Sequence, residues 1–296
     1  MLAARLDSLR MPLSDDLRLR RADTTDLPRI VELREAVGWA VHDWALEAVL
    51  QPPHARCLLV VNGDHRVVGV GSGISYGALG FVGNMIVDEG HRRRGIGSAI
   101  LESVIEFLTA RGVGRLELNA TPDGRPLYAR HGFEQIGPST MARVPRGIAQ
   151  VADGIELSRA GPAVLADLVA YDAPRFGGDR GVVLGRMLAD PDRPLIVARR
   201  DGEIVGYEWI RPDGERVGPL LADTPEIATA LVGAAFERLP SAAWLALNLP
   251  PANHQGAARL GELGAELEQW DGRMGRGPQV PRRDDTVYGM VAGALG

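Results

Sequence analysis

The sequence predicts an α+β protein built from two tandem copies of one domain. Two observations lead to this interpretation. Runs with strand-like character and runs with helical periodicity follow one another in mixed order along the chain, and the order of the first half returns in the second. A chain of 296 residues with 45% hydrophobic and 24% charged residues has room for two such domains, each with its own core.

The elements of the first half follow from periodicity and turn signals. Strands are predicted at 17–22, for CLLVV and RVVGVGSGI around the turn NGDH, and for FVGNMIV and RLELNA. Helices are predicted at 25–37, at 43–50 and from about Gly95 to Arg111, the last closed by Gly112. A short helix and the segments GFEQIG and TMARV complete the first copy.

The second half repeats this order. RLRRADTTDL is echoed by ELSRAGPAVL, LLVVNGDHRVVG by LIVARRDGEIVG, VGNMIVD by VGPLLAD, LELNATP by LALNLPP, and RHGFE by ELGAE. Echoes in one unchanged order indicate a tandem duplication, with its boundary in the Pro/Gly-containing segment near 144–154. We therefore expect a flexible leader at 1–16, a first domain at 17–148 and a second at 149–296.

Composition excludes several classes of function. A net charge of -5 argues against nucleic acid as the main partner. The chain contains no lysine, which excludes a Walker A loop and a pyridoxal phosphate Schiff base. The six histidines show no ligand spacing, so we expect no metal. No apolar run is long enough to span a membrane, and the first residues contain no signal-peptide core, so a cytoplasmic location is expected.

Two short sequences invite alternative interpretations. Cys57 lies in the apolar run RCLLVV, which favours a buried core cysteine over a nucleophile. GISYG at 73–77 matches the nucleophile elbow of serine hydrolases, but an elbow requires a helix after the serine. The residues that follow, ALGFVGN, are strand-like, so Ser75 is expected in a strand or turn.

The stretch VDEGHRRRGIGSAILE, at 87–102, carries the strongest functional signal. It places Arg92, Arg93 and Arg94 just before the glycines at 95 and 97, at the start of a helix with one apolar stripe. Helix N-termini bind anions through free N–H groups and the helix dipole, and glycine lets an anion approach closely. A solvated basic turn explains the arginines but not the paired glycines, so a pyrophosphate site is favoured. A dinucleotide fingerprint would require glycine where Ile100 stands.

This strand–loop–helix unit resembles the acetyl-CoA motif of the GCN5-related N-acetyltransferase (GNAT) superfamily. The signature Gln/Arg-x-x-Gly-x-Gly/Ala is matched by Arg92, Gly95 and Gly97, and LYARHGF resembles the second landmark of the family. The resemblance covers residues 17–145. It implies two tandem GNAT-like domains, each a mixed, mostly antiparallel twisted sheet flanked by helices, with acetyl-CoA as cosubstrate.

The resemblance also implies roles for individual residues. Main-chain groups of Met85, Ile86 and Val87 would pair with the pantetheine arm, and a main-chain N–H near Ile86 would face the thioester oxygen. Asn119 would contact acetyl-CoA in place of an asparagine that many members carry where this chain has Thr121. The cofactor-binding residues implied are Met85, Ile86, Val87, Arg92, Arg93, Arg94, Gly95, Ile96, Gly97, Ser98 and Asn119.

Tyr128 is implied as the acid that protonates the departing thiolate. A phenol with a reference pKa near 10 keeps its proton at neutral pH. Thr121 and Pro122 are typical of a helix N-cap and first residue, which would place Tyr128 about two turns into a short helix. For the base that deprotonates the amine, Glu117 and Asp88 are both possible, and the sequence does not decide between them.

The second copy lacks this machinery. After VGPLLAD the chain reads TPEIATALVGAAF, without the arginines and the glycine pair, and Leu260 stands where Tyr128 would be repeated. We expect a degenerate domain that shapes a substrate cleft or an oligomer interface, which leaves a homodimer open. Asp172, Arg175, Phe176 and Asp179 either line a cavity or belong to a capped helix start.

Direct acetyl transfer from acetyl-CoA to a primary amine of a small molecule is therefore the expected function. The alternative is an acyl-CoA-binding sensor or structural protein without catalysis. Mere binding does not require a proton donor, so Tyr128 favours the enzyme. Fold resemblance does not identify the amine.

Overall fold

Helices and strands follow the order that the sequence pattern predicts, across the residues that this computed structural model describes: 13–39, 43–50, 53–148, 152–212 and 214–296. Most of the predicted leader at 1–16, namely residues 1–12, lies outside this part of the chain. No helix among the described residues is long and apolar enough to cross a membrane.

The chain divides into two compact units. Unit 1 runs through Glu134 and also contains Arg276–Pro278 and Leu295, whereas unit 2 contains Gln135–Gly275, Gln279–Ala294 and Gly296. The sequence places the boundary some residues later, at 148/149. The difference arises because the segment TMARV belongs to a strand, Ser139–Pro145, that pairs with strands Trp244–Leu249 and Glu266–Trp270 of unit 2.

Unit 1 is built on a mixed, mostly antiparallel sheet, as expected. Strands β1 to β5 lie side by side in chain order, each antiparallel to the next except that β4 and β5 run parallel. The strands are β1 (Arg18–Arg21), β2 (Ala55–Val61), β3 (Val67–Ser75), β4 (Leu79–Val87) and β5 (Arg115–Asn119), and the short β6 (Glu134–Gln135) lies at the unit boundary. The helices are α1 (Leu27–Ala36), α2 (Asp43–Val49), α3 (Ile96–Thr109) and α4 (Arg125–Arg130).

Unit 2 has the same α+β character. One sheet has the order β15-β11-β10-β9-β8 and a second the order β12-β7-β13. The strands are β7 (Ser139–Pro145), β8 (Glu156–Arg159), β9 (Ile196–Arg200), β10 (Glu203–Ile210), β11 (Val217–Ala222), β12 (Trp244–Leu249), β13 (Glu266–Trp270) and β15 (Val287–Gly289). The strand β14 (Arg273–Arg276) begins in unit 2, and its last residue belongs to unit 1. The helices are α5 (Leu165–Phe176), α6 (Gly181–Leu188), α7 (Pro225–Arg238) and α8 (His254–Glu262).

A row of glycines on one face of β3 positions α3. Because side chains alternate along a strand, Gly69, Gly71 and Gly73 share one face. A Cβ atom on Gly71 would lie 2.4 Å from both Ile100 Cγ2 and Met85 Sδ, and one on Gly73 would lie 2.7 Å from Val104 Cγ1. The apolar stripe of α3 therefore rests directly on the backbone of β3, with Ile100 and Val104 fully buried.

The structure corrects one predicted helix start and confirms the interpretation of Ser75. Thr121 does not cap α4: its Oγ1 accepts from the N–H of Gly124 at 3.2 Å, in a turn before the helix, which begins at Arg125. Tyr128 is therefore one turn into the helix rather than two. Ser75 ends strand β3, with no helix after it, so it is not a nucleophile elbow.

Burial and hydrogen bonds also define the places of Cys57 and of the residues at 172–180. Cys57 is a core cysteine, and burial raises the pKa of its thiol to about 12. In unit 2, Asp179 accepts from the N–H of Gly181 at 2.7 Å at the start of α6, as in the helix-start interpretation. Asp172 is buried and forms an ion pair with Arg180 at 2.6 Å, whereas Phe176 and Arg180 line a small pocket within this unit.

We expect Gly71→Ala to lower the free energy of unfolding by about 1–3 kcal/mol, because the added methyl group must displace Ile100 or Met85 in a close-packed layer. The matched control is Gly63→Ala, in the turn between β2 and β3, where a Cβ atom meets nothing within 4 Å. Guanidinium denaturation followed by circular dichroism measures both. Equal stability of the two variants would show that α3 does not depend on this contact.

Candidate functional site

A cleft of about 600 Å³ opens in unit 1 where β4 ends and α3 begins. Its described lining contains nine of the predicted cofactor-binding residues together with parts of α1 and α4. The lining residues are Ala36, Val37, Trp39, Met85, Ile86, Val87, Arg92, Arg93, Gly95, Ile96, Gly97, Ser98, Thr121, Asp123, Gly124, Leu127 and Arg130. The strand–loop–helix segment thus forms one continuous wall.

The N-terminus of α3 presents backbone to this cleft. Gly95 is the N-cap residue, in the left-handed conformation with φ of 78°, and it offers no side chain to cap the first turn. A left-handed residue of this kind favours glycine. The first N–H groups of a helix have no partner within the helix, and the helix dipole makes this end positive. Gly95, Gly97 and Ser98 therefore form a wall suited to an anion.

The three arginines before the helix separate into two groups. Arg92 and Arg93 line the cleft, and the Nε of Arg92 donates to the carbonyl oxygen of Val87 at 3.2 Å. Arg94 instead donates to Asp16 at 2.8 Å and to the Oγ of Ser14 at 3.0 Å. The hydrogen bond from Arg94 lowers the pKa of the exposed Asp16 carboxyl. The side chain of Arg94 therefore binds the segment that contains Ser14 and Asp16 and does not line the cleft, although its main chain belongs to the loop.

Tyr128 lies in α4, between Leu127 and Arg130, which both line the cleft. Its side chain is 6% exposed, and its ring packs edge-to-face against Phe133 with 6.0 Å between centroids. Burial raises the pKa of its phenol to about 12. Leu127 and Gly124 line the cleft, whereas Tyr128 is not among the described lining residues. The phenol is therefore protonated throughout the neutral range, and its ring lies beside Gly124, where an added Cβ atom would be 3.1 Å from Tyr128 Cε2.

A buried pair ties α4 to α3. The Nε2 of His131 lies 3.1 Å from the carboxylate of Glu102 on α3, and its Nδ1 lies 2.9 Å from the carbonyl oxygen of Leu127 on α4. Both side chains are nearly inaccessible, at 4% and 9% exposure. Each ring nitrogen faces an acceptor, so the pair fixes the helix that carries Tyr128 against α3, whose first turn lines the cleft.

The end of β5 supplies a different residue from the one predicted. Asn119 is half-buried and is not among the described residues that line the cleft. Thr121, Asp123 and Gly124, in the turn that follows, do line it. Thr121 was expected as a helix cap and as the residue that replaces the family's asparagine, and not as a residue that lines the site. The pairing of β4 with β5, from Leu79 opposite Arg115 to Phe81 opposite Glu117, brings this turn to the cleft.

Both candidate bases have structural roles. Glu117 is fully buried and forms an ion pair with Arg115 at 3.0 Å, while Arg115 also donates to the carbonyl oxygen of Gly277 at 2.8 Å. Asp88 accepts from Arg29 at 3.0 Å and from the N–H of Gly90 at 3.3 Å. Neither belongs to the described lining of the cleft. Among the described residues, no group of three or more histidine, cysteine, aspartate or glutamate side chains is arranged to hold a metal ion.

Unit 2 differs from unit 1 in three features of the cleft: the gap between two strands, the start of the helix and the position of the tyrosine. The strands that echo β4 and β5 are β11 and β12, and the chain's own strand β15 lies between them. Leu220 and Leu221 pair with Gly289 and Val287, and the N–H of Met290 donates to the carbonyl oxygen of Asn248 at 2.8 Å. The helix that echoes α3 is capped by its own Thr224, whose Oγ1 accepts from the N–H of Ile227 at 3.4 Å. Leu260, in the place of Tyr128, is a core residue with 1% exposure.

Comparison with known proteins identifies both halves of the chain. The model of the "Acetyltransferase (GNAT) family" matches residues 19–133, and that of an "Acetyltransferase (GNAT) domain" matches residues 168–289. The uncharacterized N-acetyltransferase YitH of Bacillus subtilis (strain 168) is 24% identical over 227 residues, which are 75% of this chain and 78% of YitH. A mycothiol acetyltransferase of Clavibacter michiganensis subsp. michiganensis (strain NCPPB 382) is 27% identical over 228 residues, 69% of this chain and 74% of that protein.

A crystal structure from Pyrococcus horikoshii, of a protein whose assignment as an acetyltransferase is itself provisional, superimposes with a TM-score of 0.78. The alignment covers 97% of this chain and 98% of that chain at 23% sequence identity, a level that shows the fold alone. Together with the two family matches and the acetyltransferase relatives, the fold and the cleft lead to one conclusion: this chain belongs to the GNAT superfamily of acetyltransferases and contains two GNAT domains.

Proposed function

We propose that unit 1 transfers an acetyl group from acetyl-CoA directly to a primary amine of a small molecule, and that unit 2 binds no acetyl-CoA. The observation that supports this most strongly is the single cleft wall formed by the end of β4, the arginine-glycine loop and the first turn of α3. The family generally uses acetyl-CoA. The name of the mycothiol acetyltransferase relative supports a small molecule as acceptor.

The residues present fit acetyl-CoA. The pyrophosphate would lie on the N–H groups of the loop and of the first turn of α3, with Arg92 and Arg93 supplying countercharge. At Gly97, a Cβ atom would lie 3.2 Å from Leu127 Cδ2, so a larger residue there would narrow the space between α3 and α4. The pantetheine arm would pair with Met85, Ile86 and Val87, the part of β4 that lines the cleft.

The reaction needs attack by a neutral amine on the thioester carbon and cleavage of the carbon–sulfur bond. Negative charge on the carbonyl oxygen would be stabilised by a main-chain N–H of the Met85–Val87 segment. The electron pair of the broken bond leaves on the CoA sulfur, which then takes a proton. Since Glu117 and Asp88 are held in ion pairs, the acceptor's ammonium group loses its proton to water, and not to either carboxylate, before the neutral amine attacks. Once the carbon–nitrogen bond has formed, the nitrogen loses a second proton, which balances the proton taken up by the sulfur.

Tyr128 is the protein group we assign to the departing sulfur. A phenol with a pKa of about 12 is a weaker acid than a thiol in water, whose reference pKa is near 8.5. It therefore acts chiefly as a hydrogen-bond donor that stabilises the thiolate, with full proton transfer favoured only while the sulfur is equally desolvated. This role requires the phenol to be protonated, which its raised pKa ensures at physiological pH.

The absence of the signature from unit 2 supports a single site. In unit 2, backbone groups of Leu220 and Leu221 already pair with β15, and Thr224 already caps the helix start. These are the positions that correspond to the proposed pantetheine and pyrophosphate contacts of unit 1. We therefore assign unit 2 a structural role and not a role in binding the cosubstrate.

Calorimetric titration of acetyl-CoA tests the proposal first. We expect one binding site per chain, and at least about 100-fold weaker binding for Gly97→Glu, because its side chain would fill the space proposed for the pyrophosphate and its carboxylate would repel the phosphate groups. Gly63→Glu, which adds the same charge where a Cβ atom has open space, is the control. Two sites per chain would contradict the proposal that unit 2 binds no acetyl-CoA, and no binding at all would overturn the proposed function.

The two neighbouring arginines provide a second test. Arg93→Gln should weaken acetyl-CoA binding by about tenfold, through loss of a charge that lines the cleft. Arg94→Gln should change it by less than about twofold, because its guanidinium is bonded to Asp16 and Ser14. The Arg93 effect should shrink at high salt, as expected for an exposed charge. Equal losses for both variants would mean that a diffuse basic surface, rather than the cleft wall, attracts the ligand.

Tyr128→Phe tests the role of the phenol. We expect kcat to fall by about 100-fold while the Kd of acetyl-CoA changes by less than about twofold. Release of free CoA thiol, with the best acceptor of a primary amine panel or with water, measures kcat. Since the phenol titrates only near pH 12, the wild-type rate should show no alkaline loss from Tyr128 up to about pH 11. An unchanged kcat in the variant would reduce Tyr128 to a packing residue.

A further inference from the structure

Strand β4 contains a strained residue immediately before the cleft. Asn84 has φ of 54°, a left-handed conformation that is uncommon for residues other than glycine. The register of β4 against β3 pairs Val70 with Ile86 and Ser72 with Gly83. Two residues of β4, Asn84 and Met85, therefore lie opposite the single residue Gly71, and the strand bulges at this point.

Three side chains hold this bulge. The Nδ2 of Asn84 donates to the Oγ of Ser72 at 2.9 Å, and that hydroxyl donates to the carbonyl oxygen of Gly83 at 3.1 Å. On its other side, the Oδ1 of Asn84 accepts from Nη1 of Arg34 on α1. Ser72 is fully buried and Asn84 is 4% exposed, so these bonds are shielded from water. Arg34 also lies over the ring of Trp39, which lines the cleft, with 5.7 Å from Cζ to the ring centroid.

The chemistry of this position favours asparagine. The network uses both ends of the side-chain amide, one as a donor and the other as an acceptor. Aspartate has no donor, glycine has neither group, and alanine would retain the backbone strain without the hydrogen bonds. Asparagine is also among the few residues that tolerate the left-handed conformation. Backbone strain that is held in place by surrounding bonds is characteristic of functional sites.

The second copy of the domain provides an independent comparison. In the echo VGPLLAD, Pro219 stands where VGNMIVD has Asn84, and Trp209 stands where β3 has Ser72. Proline has no side-chain polar group and no N–H to donate. The network is therefore missing from the copy that also lacks the arginine-glycine loop, so the two features occur together in unit 1.

We propose that Asn84 is a positioning residue: the Arg34–Asn84–Ser72 network holds the left-handed bulge of β4 and so directs a main-chain N–H of the following segment, Met85–Val87, at the thioester carbonyl. This inference rests on the proposed function, since it assumes that acetyl-CoA occupies the cleft. Asn84 itself touches neither the cosubstrate nor the amine. Its effect is on the polarisation of the carbonyl group and not on affinity.

Isotope-edited infrared spectroscopy of bound acetyl-CoA labelled with carbon-13 at the acetyl carbonyl tests this without an identified acceptor. A hydrogen bond to the carbonyl oxygen lowers its stretching frequency relative to free acetyl-CoA. We expect a clear shift for the wild-type protein, and less than about half of that shift for both Asn84→Ala and Ser72→Ala, with Kd values within about threefold of wild type. Asn84→Gly should lie closer to wild type than Asn84→Ala does, because glycine adopts the bulge without strain.

Ser75→Ala is the matched control for Ser72→Ala. Ser75 lies on β3 like Ser72 but outside the network, so this variant should keep the wild-type shift of the carbonyl frequency. If Asn84→Ala does not fold, Ser72→Ala decides the question, because it removes the anchor and leaves β4 unchanged. A wild-type frequency in both variants, or no shift in the wild-type protein, would overturn the positioning role while leaving acetyl-CoA binding intact. Failure of the wild-type protein to bind acetyl-CoA would instead refute the proposed function.

Discussion

The contact between α3 and the glycine face of β3 is the constraint on which the rest of the site depends. The stripe formed by Ile96, Ile100 and Val104 can approach the sheet closely only because Gly69, Gly71 and Gly73 have no side chains on that face. The helix start at Gly95 is thereby fixed beside the end of β4. The N-terminus of α3, which is suited to an anion, and the end of β4 thereby become two parts of one cleft wall.

The same contact explains why the glycines of RVVGVGSGI carry information beyond strand prediction. Glycine weakens a strand, because it adds backbone entropy to the unfolded chain and leaves no side chain to pack. Three alternate glycines therefore indicate close approach by another element on that face. The sequence predicted both the strand and the helix, and this alternation is the signal from which their contact could also have been inferred.

Much of the fold and part of the site were predictable, for identifiable reasons. The order of helices and strands and the arginine-glycine loop depend on local patterns, and the structure agrees with them. The side-chain direction of Arg94 depends on Asp16 and Ser14, which are distant in sequence, so no local pattern separates this arginine from its two neighbours. The start of α4 was misjudged because a threonine followed by proline is equally suited to cap a helix and to form the turn before it. The bulge at Asn84 depends on Ser72 and Arg34, which belong to other elements.

The two copies of the domain treat the same strand in different ways: the later part of β4 lines a cleft, whereas the equivalent part of β11 is paired with another strand. In unit 1, β4 and β5 pair only near their beginnings, and the later part of β4 lines the cleft. In unit 2, the chain's own β15 pairs with the equivalent part of β11, and its residues Val287 and Tyr288 and the following Met290 are buried. Backbone N–H and C=O groups at such an edge must be satisfied by ligand, water or protein. Under the proposed function, unit 1 leaves this part of β4 for the cosubstrate, and the bonds of Asn84 to Ser72 and Arg34 hold the irregular strand. Unit 2 fills the corresponding place with its own strand and lacks the loop, the tyrosine and the asparagine together.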